Sequence, residues 1–171
     1  MPNTRMIEHL RSRHYDPERY YTQWIDEHCL TIPLFDFARQ LRGFQVYVPS
    51  FPKHDPNPKN CRYFTRCYSK TQCLWGTELP VKTGTVFLTE SVFKSAALHA
   101  LGLDSWSVNG SSIQGALRQQ LGLLPWRFIC IGDDDSAGRK FSRTFAEGAV
   151  MDDLDERTPE ELKNLTNRFL V

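Results

Sequence analysis

Twice in this chain a short apolar run ends in a carboxylate and leads directly into a helical pattern. Val86-Phe87-Leu88-Thr89 ends at Glu90, and Phe128-Ile129-Cys130-Ile131 ends, through Gly132, at Asp133-Asp134-Asp135. Apolar runs without a polar face mark strands buried on both sides, as in a parallel sheet, and parallel strands need crossover helices. The chain supplies these. Ser91 predicts the N-cap of a helix running to Leu101, with Val92, Ala96, Ala97 and Ala100 as its apolar face and Gly102 as its C-cap. A strand over 106–108, a helix over 112–121 ending at Gly122, the strand over 127–131 and a helix over about 137–147 follow. An edge strand is expected over 149–154. Thr158, Pro159 and Glu161 give the last helix an N-cap, an N1 proline and a capping box. Strands alternating with helices predict an α/β domain with a parallel sheet.

The first part of the chain has a different texture. Asp16 as N-cap, Pro17 at N1, and Tyr20, Tyr21, Trp24, Ile25 and Cys29 at helical spacing predict a first helix that Pro33 ends. A short helical piece is expected over 36–41, before Gly43. Phe44, Val46 and Val48 read as a strand, prolines 49, 52, 56 and 58 as a loop, and 62–68 as a second strand, the two forming a hairpin or small sheet. From Arg39 to Cys73 seven basic residues stand against one acid, Asp55, whereas from Asp133 to Glu161 ten acids stand against four bases. That asymmetry suits a protein that grips a polyanion with one part and binds cations with the other, although two solvated faces would look the same.

The 171 residues suit one domain with a modest extra module, and a hydrophobic content of 40% is enough for a packed core. No apolar run approaches the roughly 20 residues of a membrane helix, and the polar N-terminus lacks a signal-peptide core, so a soluble cytoplasmic protein without a membrane partner is expected. Five cysteines, none in a C-x-x-C pair, predict reduced thiols. The gaps between Cys61, Cys67 and Cys73, with His54 upstream, do not match structural zinc knuckles.

Along an extended backbone Asp133 and Asp135 point to one side and Asp134 to the other. Paired carboxylates repel unless a cation lies between them, and hard oxygen ligands suit magnesium or manganese. An isolated D-x-D is ordinarily a solvated loop or a helix cap, and an isolated Glu90 a first-turn acid favoured by the helix dipole. Acids after two buried strands, each leading into a helix, shift the balance toward a metal site at the sheet's carboxyl edge, where open parallel sheets place their ligands.

Residues 84–140 resemble the Toprim domain, shared by bacterial-type and phage primases, topoisomerases, overcoming-lysogenization-type nucleases and small ribosomal-RNA-maturing ribonucleases. The resemblance lies in Val86-Phe87-Leu88-Thr89-Glu90, in Ser107-Val108-Asn109-Gly110, and most specifically in Ile131-Gly132-Asp133-Asp134-Asp135-Ser136-Ala137-Gly138-Arg139. It implies a Rossmann-like sheet flanked by helices over 81–171, behind a small α+β basic module over 1–80. It also implies that Asp133 and Asp135 chelate Mg2+ (or Mn2+) while Glu90 completes the metal site or serves as general acid/base. Upstream, Gly43-Phe44-Gln45-Val46-Tyr47-Val48-Pro49, Arg62-Tyr63-Phe64 and Leu74-Trp75-Gly76 resemble the segment that precedes Toprim in primases. Basic residues among Tyr47, Tyr63, Phe64 and Tyr68 suit contacts to phosphates and stacked bases, with about half of those rings expected to face a core instead.

The resemblance thus implies a primase-like nucleotidyltransferase of phage or mobile-element type. Its partners would be a single-stranded DNA template, nucleoside triphosphates and a replicative helicase. Arg62, Tyr63, Arg66, Lys70, Lys94, Gly110 and Arg139 are the expected contacts to nucleic acid or nucleotide. The chain departs from the family at Ser91, where a glycine often follows the glutamate, and near Lys94, where a further acid is often found. It also shows no zinc-ribbon pattern and no G-x-x-x-x-G-K-[ST] loop. A Toprim metal-dependent nuclease and a non-catalytic nucleic-acid or replisome adaptor are the alternative readings.

Overall fold

The computed structural model describes residues 3–69 and 71–170. Two four-stranded sheets organise them. The first is antiparallel, in the order β1-β2-β3-β4, built from β1 (Gln23–Trp24), β2 (Leu30–Phe35), β3 (Leu41–Tyr47) and β4 (Tyr63–Cys67). The second is parallel, in the order β6-β5-β7-β8, built from β5 (Thr85–Thr89), β6 (Asp104–Ser107), β7 (Arg127–Gly132) and β8 (Glu147–Val150). Its connections are α2 (Val92–Ala100), α3 (Gly115–Gly122) and α4 (Ser136–Ser142), while α1 (Thr4–Ser12) opens the fold and α5 (Pro159–Thr166) closes it. The α/β class, with a helix-flanked parallel sheet behind an α+β module, is the one the sequence led us to expect.

Alternation along the buried strands sorts their side chains onto two faces. Phe87, Ile129 and Ile131 pack with Ala97 and Leu98 of α2 and Leu162 of α5. Val86, Leu88, Phe128 and Cys130 pack with Leu117 and Leu121 of α3 and Phe141 of α4. Helix α2 is buried along its length because its other side, through Val92, Phe93 and Ala96, also closes the core of the antiparallel sheet against Leu30, Ile32, Leu34 and Tyr47. The capping box at Thr158 and Glu161 forms as the sequence predicts.

Four local expectations are corrected. The segment 16–29 is not a helix: α1 lies earlier, capped by Asn3 and burying Met6 and Leu10, and Asp16 instead holds a turn by accepting the Glu18 amide. The apolar spacing there reflects tertiary packing, with the Tyr20 ring 4.7 Å from Trp75 and 5.0 Å from Tyr15. Pro33 ends no helix but sits inside β2, tolerated because β1 pairs with that strand only at Leu30 and Thr31. The expected helical piece over 36–41 is a turn in which Asp36 accepts the Gln40 amide at 2.9 Å and Arg39 takes φ 61°. Helix α4 stops at Ser142, where the hydroxyls of Ser142 and Thr144 bond back to the carbonyls of Arg139 and Phe141, and β8 therefore begins at Glu147 rather than 149.

Leu74 and Trp75 stitch the sheets together. Leu74 exchanges backbone hydrogen bonds with Phe35 of the first sheet (2.8 and 3.0 Å), and Trp75 exchanges them with Ser107 of the second (3.0 Å each). The Trp75 ring is fully buried and stacks on His99, which burial holds neutral with its pKa pushed down to about 4. Gly76 follows at φ +92°, with the Ser105 carbonyl 2.7 Å from where a Cβ would stand, so only glycine fits the exit from this crossing. Truncating Trp75→Ala should cost about 3–5 kcal/mol in chemical denaturation, as expected for a fully buried aromatic, whereas Leu123→Ala at an exposed position should cost less than about 0.5 kcal/mol.

Candidate functional site

Strands β5 and β7 are neighbours in register, Thr89 beside Ile131, so the acids that follow them emerge side by side at the sheet's carboxyl edge. Glu90 and Asp133 line one cleft of about 530 Å3. Between them comes Lys94, one helical turn into α2, whose ammonium is paired with Asp133 Oδ1 while its side chain is only 11% exposed. Glu90 Oε1 is buried and has no hydrogen-bond partner. Burial, and then the nearby charges of Asp133 and Asp135, raise the Glu90 pKa above the usual carboxylate range against the pull of Lys94.

The D-x-D segment folds tightly. A Cβ on Gly138 would overlap the backbone of Asp133, and one on Gly132 would overlap the Gly138 carbonyl, so these two glycines let the first turn of α4 lie directly on the end of β7. Asp135 caps α4, accepting the Gly138 amide at 2.7 Å, and does not line the cleft. Asp134 faces solvent, paired with Arg139, and its amide donates to Asp152 at 2.6 Å. Among the described residues no three His, Cys, Asp or Glu side chains stand close enough together to enclose an ion. The structure thus brings Glu90 to Asp133 and Lys94, while Asp135 adjoins them with its side chain turned to its own helix.

The opposite wall comes from the antiparallel module. Arg62 and Tyr63 line it with Lys53, and Gly110 and Ser111 close one end. Arg66 stands outside the cleft, exposed on the face of β4 that pairs with Phe44, and Arg139 lies outside it too. Lys70 lies outside the described residues. Of the rings expected to contact bases, Tyr47 is buried and stacked on Tyr63 at 5.1 Å, Phe64 pairs with Val46 on the sheet's other face, and Tyr68 is 92% exposed.

Sequence reasoning missed Arg13. Its Nε donates to the buried Asp155 at 2.6 Å, its Nη1 donates to the hydroxyls of Tyr63 (2.9 Å) and Tyr47 (3.3 Å), and its guanidinium lies 4.2 Å over the Phe93 ring. Burial alone would lower its pKa, but Tyr63 and Asp155 outweigh that and keep it firmly charged. Its partners lie 34, 50 and 142 residues away, so no local pattern announces it. His9, hydrogen-bonded to Tyr47, is a second missed neighbour, its pKa lowered by burial and then by Arg13 and Arg62. Asp153 and Glu156 add acids to the cleft, Asp153 in a left-handed conformation at φ 47°. The acid-rich run at 152–156 was visible in the sequence only as charge balance.

The acid-rimmed parallel sheet thus faces a module that contributes Lys53 and Arg62 to the cleft, and solved structures share this two-sheet fold. The chain superimposes on the RNA polymerase domain of Mycobacterium tuberculosis primase DnaG, solved in complex with double-stranded DNA, with a TM-score of 0.70 at 17% identity over 96% of this chain and 73% of that one. It matches the primase fragment of the bacteriophage T7 primase-helicase protein with a TM-score of 0.61 at 15% identity, covering 95% of this chain and 68% of that one. A DnaG catalytic core matches with a TM-score of 0.61 at 17% identity over 82% of this chain, which spans only 53% of that core's length. No protein-family model and no curated protein sequence matches the chain. The fold is that of primase catalytic cores.

The raised pKa of Glu90 has a measurable consequence. A carboxyl with a raised folded-state pKa favours the fold when protonated, and that contribution is lost as pH rises through the folded value. Glu90→Gln should therefore raise the denaturation midpoint of the ion-free protein at neutral pH, and the advantage should vanish below about pH 4, the ordinary glutamate range. An equal midpoint at neutral pH would show that Glu90 bears no such cost.

Proposed function

We propose that the chain carries a primase-type nucleotidyltransferase site. It would join ribonucleotides on a single-stranded DNA template, in the cytoplasm and beside a replicative helicase. The observation that carries this reading is the cleft itself, with two neighbouring half-buried carboxylates on the sheet edge and cations on the facing wall. A condensing phosphoryl transfer needs both kinds of wall: cations to draw in an anionic triphosphate, and hard oxygens to hold a counter-ion against it.

The donor set fits Mg2+ or Mn2+. Glu90 Oε1 is an orphaned buried acceptor, and Asp133 already holds a positive charge in the ammonium of Lys94. Glu90 and Asp133 would hold the ion, with Asp135 alongside. A divalent ion held there would supply charge neutralisation for phosphates and make a nearby hydroxyl easier to ionise. The chain's own residues do the rest. Lys53 and Arg62 draw the triphosphate into the cleft. Arg13, fixed by Asp155 and Tyr47, orients Tyr63 through its hydroxyl and so shapes the wall on which a nucleotide rests. Burial raises the proton affinity of Glu90 while no ion is bound, and a cation held between it and Asp133 would reverse that shift, so Glu90 serves here as a ligand. Gly110, Arg66, Lys70 and Arg139 are assigned to strand contacts further from the chemistry. The module over 1–80 then supplies the cationic wall and residues 81–171 the acidic one.

Incubation with single-stranded template, ribonucleoside triphosphates and Mg2+ or Mn2+ should give short primers. Asp133→Asn should reduce their yield by at least about 100-fold, on the scale of losing a group that acts in the transition state. Cleavage of nucleic acid without triphosphates would establish the nuclease instead. Tight metal-independent binding without turnover would establish the adaptor.

A further inference from the structure

On the other face of the parallel sheet, between α3 and α4, lies a second cavity of about 530 Å3 whose character differs from that of the cleft. Arg118, Arg139, Lys140 and Arg143 line it, and no carboxylate does. Ser111 and Ser112 add hydroxyls at its mouth. Arg139 is paired with Asp134, but Arg118, Lys140 and Arg143 have no carboxylate within ion-pair distance among the described residues. Three unpaired cations facing one concavity repel one another, and a polyanion relieves that repulsion.

The position of the cavity selects the anion. Ser111 lines both this cavity and the cleft that holds Glu90 and Asp133, so the two adjoin at Ser111, beyond the end of β6. A free nucleotide seated at the acidic rim would leave Arg118 and Arg143, on α3 and just beyond α4, without a phosphate. A strand that passes through the cleft and continues over the α3/α4 face would meet both. Their spread across two helices suits successive phosphates of a chain more than one compact phosphate group, and the flanking hydroxyls suit backbone oxygens.

We infer that the α3/α4 cavity is a docking track for the phosphodiester backbone of a single strand running out of the cleft. This rests on the proposed polymerising site for the direction of the strand, but not for the binding itself. Contacts there are to phosphates, so they confer affinity and salt dependence without sequence preference.

The test is fluorescence anisotropy with a labelled single-stranded DNA of about 15 nucleotides across a salt series, using wild type, Arg118→Ala/Arg143→Ala and Arg118→Lys/Arg143→Lys. Both positions are exposed, so the fold should be unaffected. The alanine pair should weaken binding roughly tenfold at low salt and reduce the slope of log K against log salt by about 1.4, two contacts at about 0.7 each on a single strand. The lysine pair, which keeps both charges, should restore most of the affinity. Equal affinity and equal slope for wild type and the alanine pair would overturn the inference. So would displacement of the strand from this face by ATP in the wild type but not in the alanine pair, which would make the cavity a nucleotide pocket. Primer synthesis is scored separately. Strand binding through Arg118 and Arg143 without synthesis defeats the polymerising reading alone, and synthesis with unaltered strand affinity in the alanine pair defeats this inference alone.

Discussion

The arrangement depends on a half-buried glutamate, one oxygen of it fully buried, set beside a second carboxylate. Glu90 and Asp133 leave adjacent parallel strands at the same edge, and both register and strand direction force their proximity. In water such a pair would be of little consequence. Here burial raises the Glu90 pKa, Asp133 and Asp135 raise it further, and one buried oxygen finds no donor. The fold answers with Lys94, whose ammonium is directed to Asp133 from the first turns of α2. That one lysine offsets part of the negative charge at this edge, and it sets the terms on which an ion would enter, since an incoming cation would compete with a charge already in place.

The rest of the molecule serves to hold that edge against a second wall. Helix α2 carries Lys94 and is buried on both sides, so it cannot move without disturbing both cores. The Leu74–Trp75 crossing locks the antiparallel sheet to β6, and Arg13 ties the module to Asp155, beyond β8. Arg13 illustrates the stakes of a buried ion pair: it lends little net stability over an apolar replacement, yet loss of either partner alone leaves a stranded charge. The cleft is therefore a junction between two rigid layers rather than a groove in one of them.

The parallel-sheet half was largely legible in the sequence because its signals are local. An apolar run, a cap and a following helix were enough to place β5, α2, β7 and α5 to within a residue or two, and Glu90 and Asp133 at one edge. The limits were equally physical. Segment 16–29 has helical spacing because Tyr20 packs under Trp75, and a tertiary contact of that kind looks like periodicity when only the chain is visible. Pro33 suggested a stop where β2 in fact has a free side. Alternation placed Asp133 and Asp135 on a common side, but the sequence did not reveal that Asp135 would be taken as a helix cap. Arg13 and Asp155, 142 residues apart, were beyond any local rule.

The account stands on competition between Lys94 and a divalent ion for the carboxylates at the sheet edge, and equilibrium titration with Mn2+ followed by electron paramagnetic resonance reads it directly. Wild type should take up Mn2+, removal of the competing ammonium in Lys94→Met should tighten that uptake, and a chain lacking the carboxylates of both Glu90 and Asp133 should lose it. No uptake by wild type, or uptake indifferent to these substitutions, would contradict the account at its root.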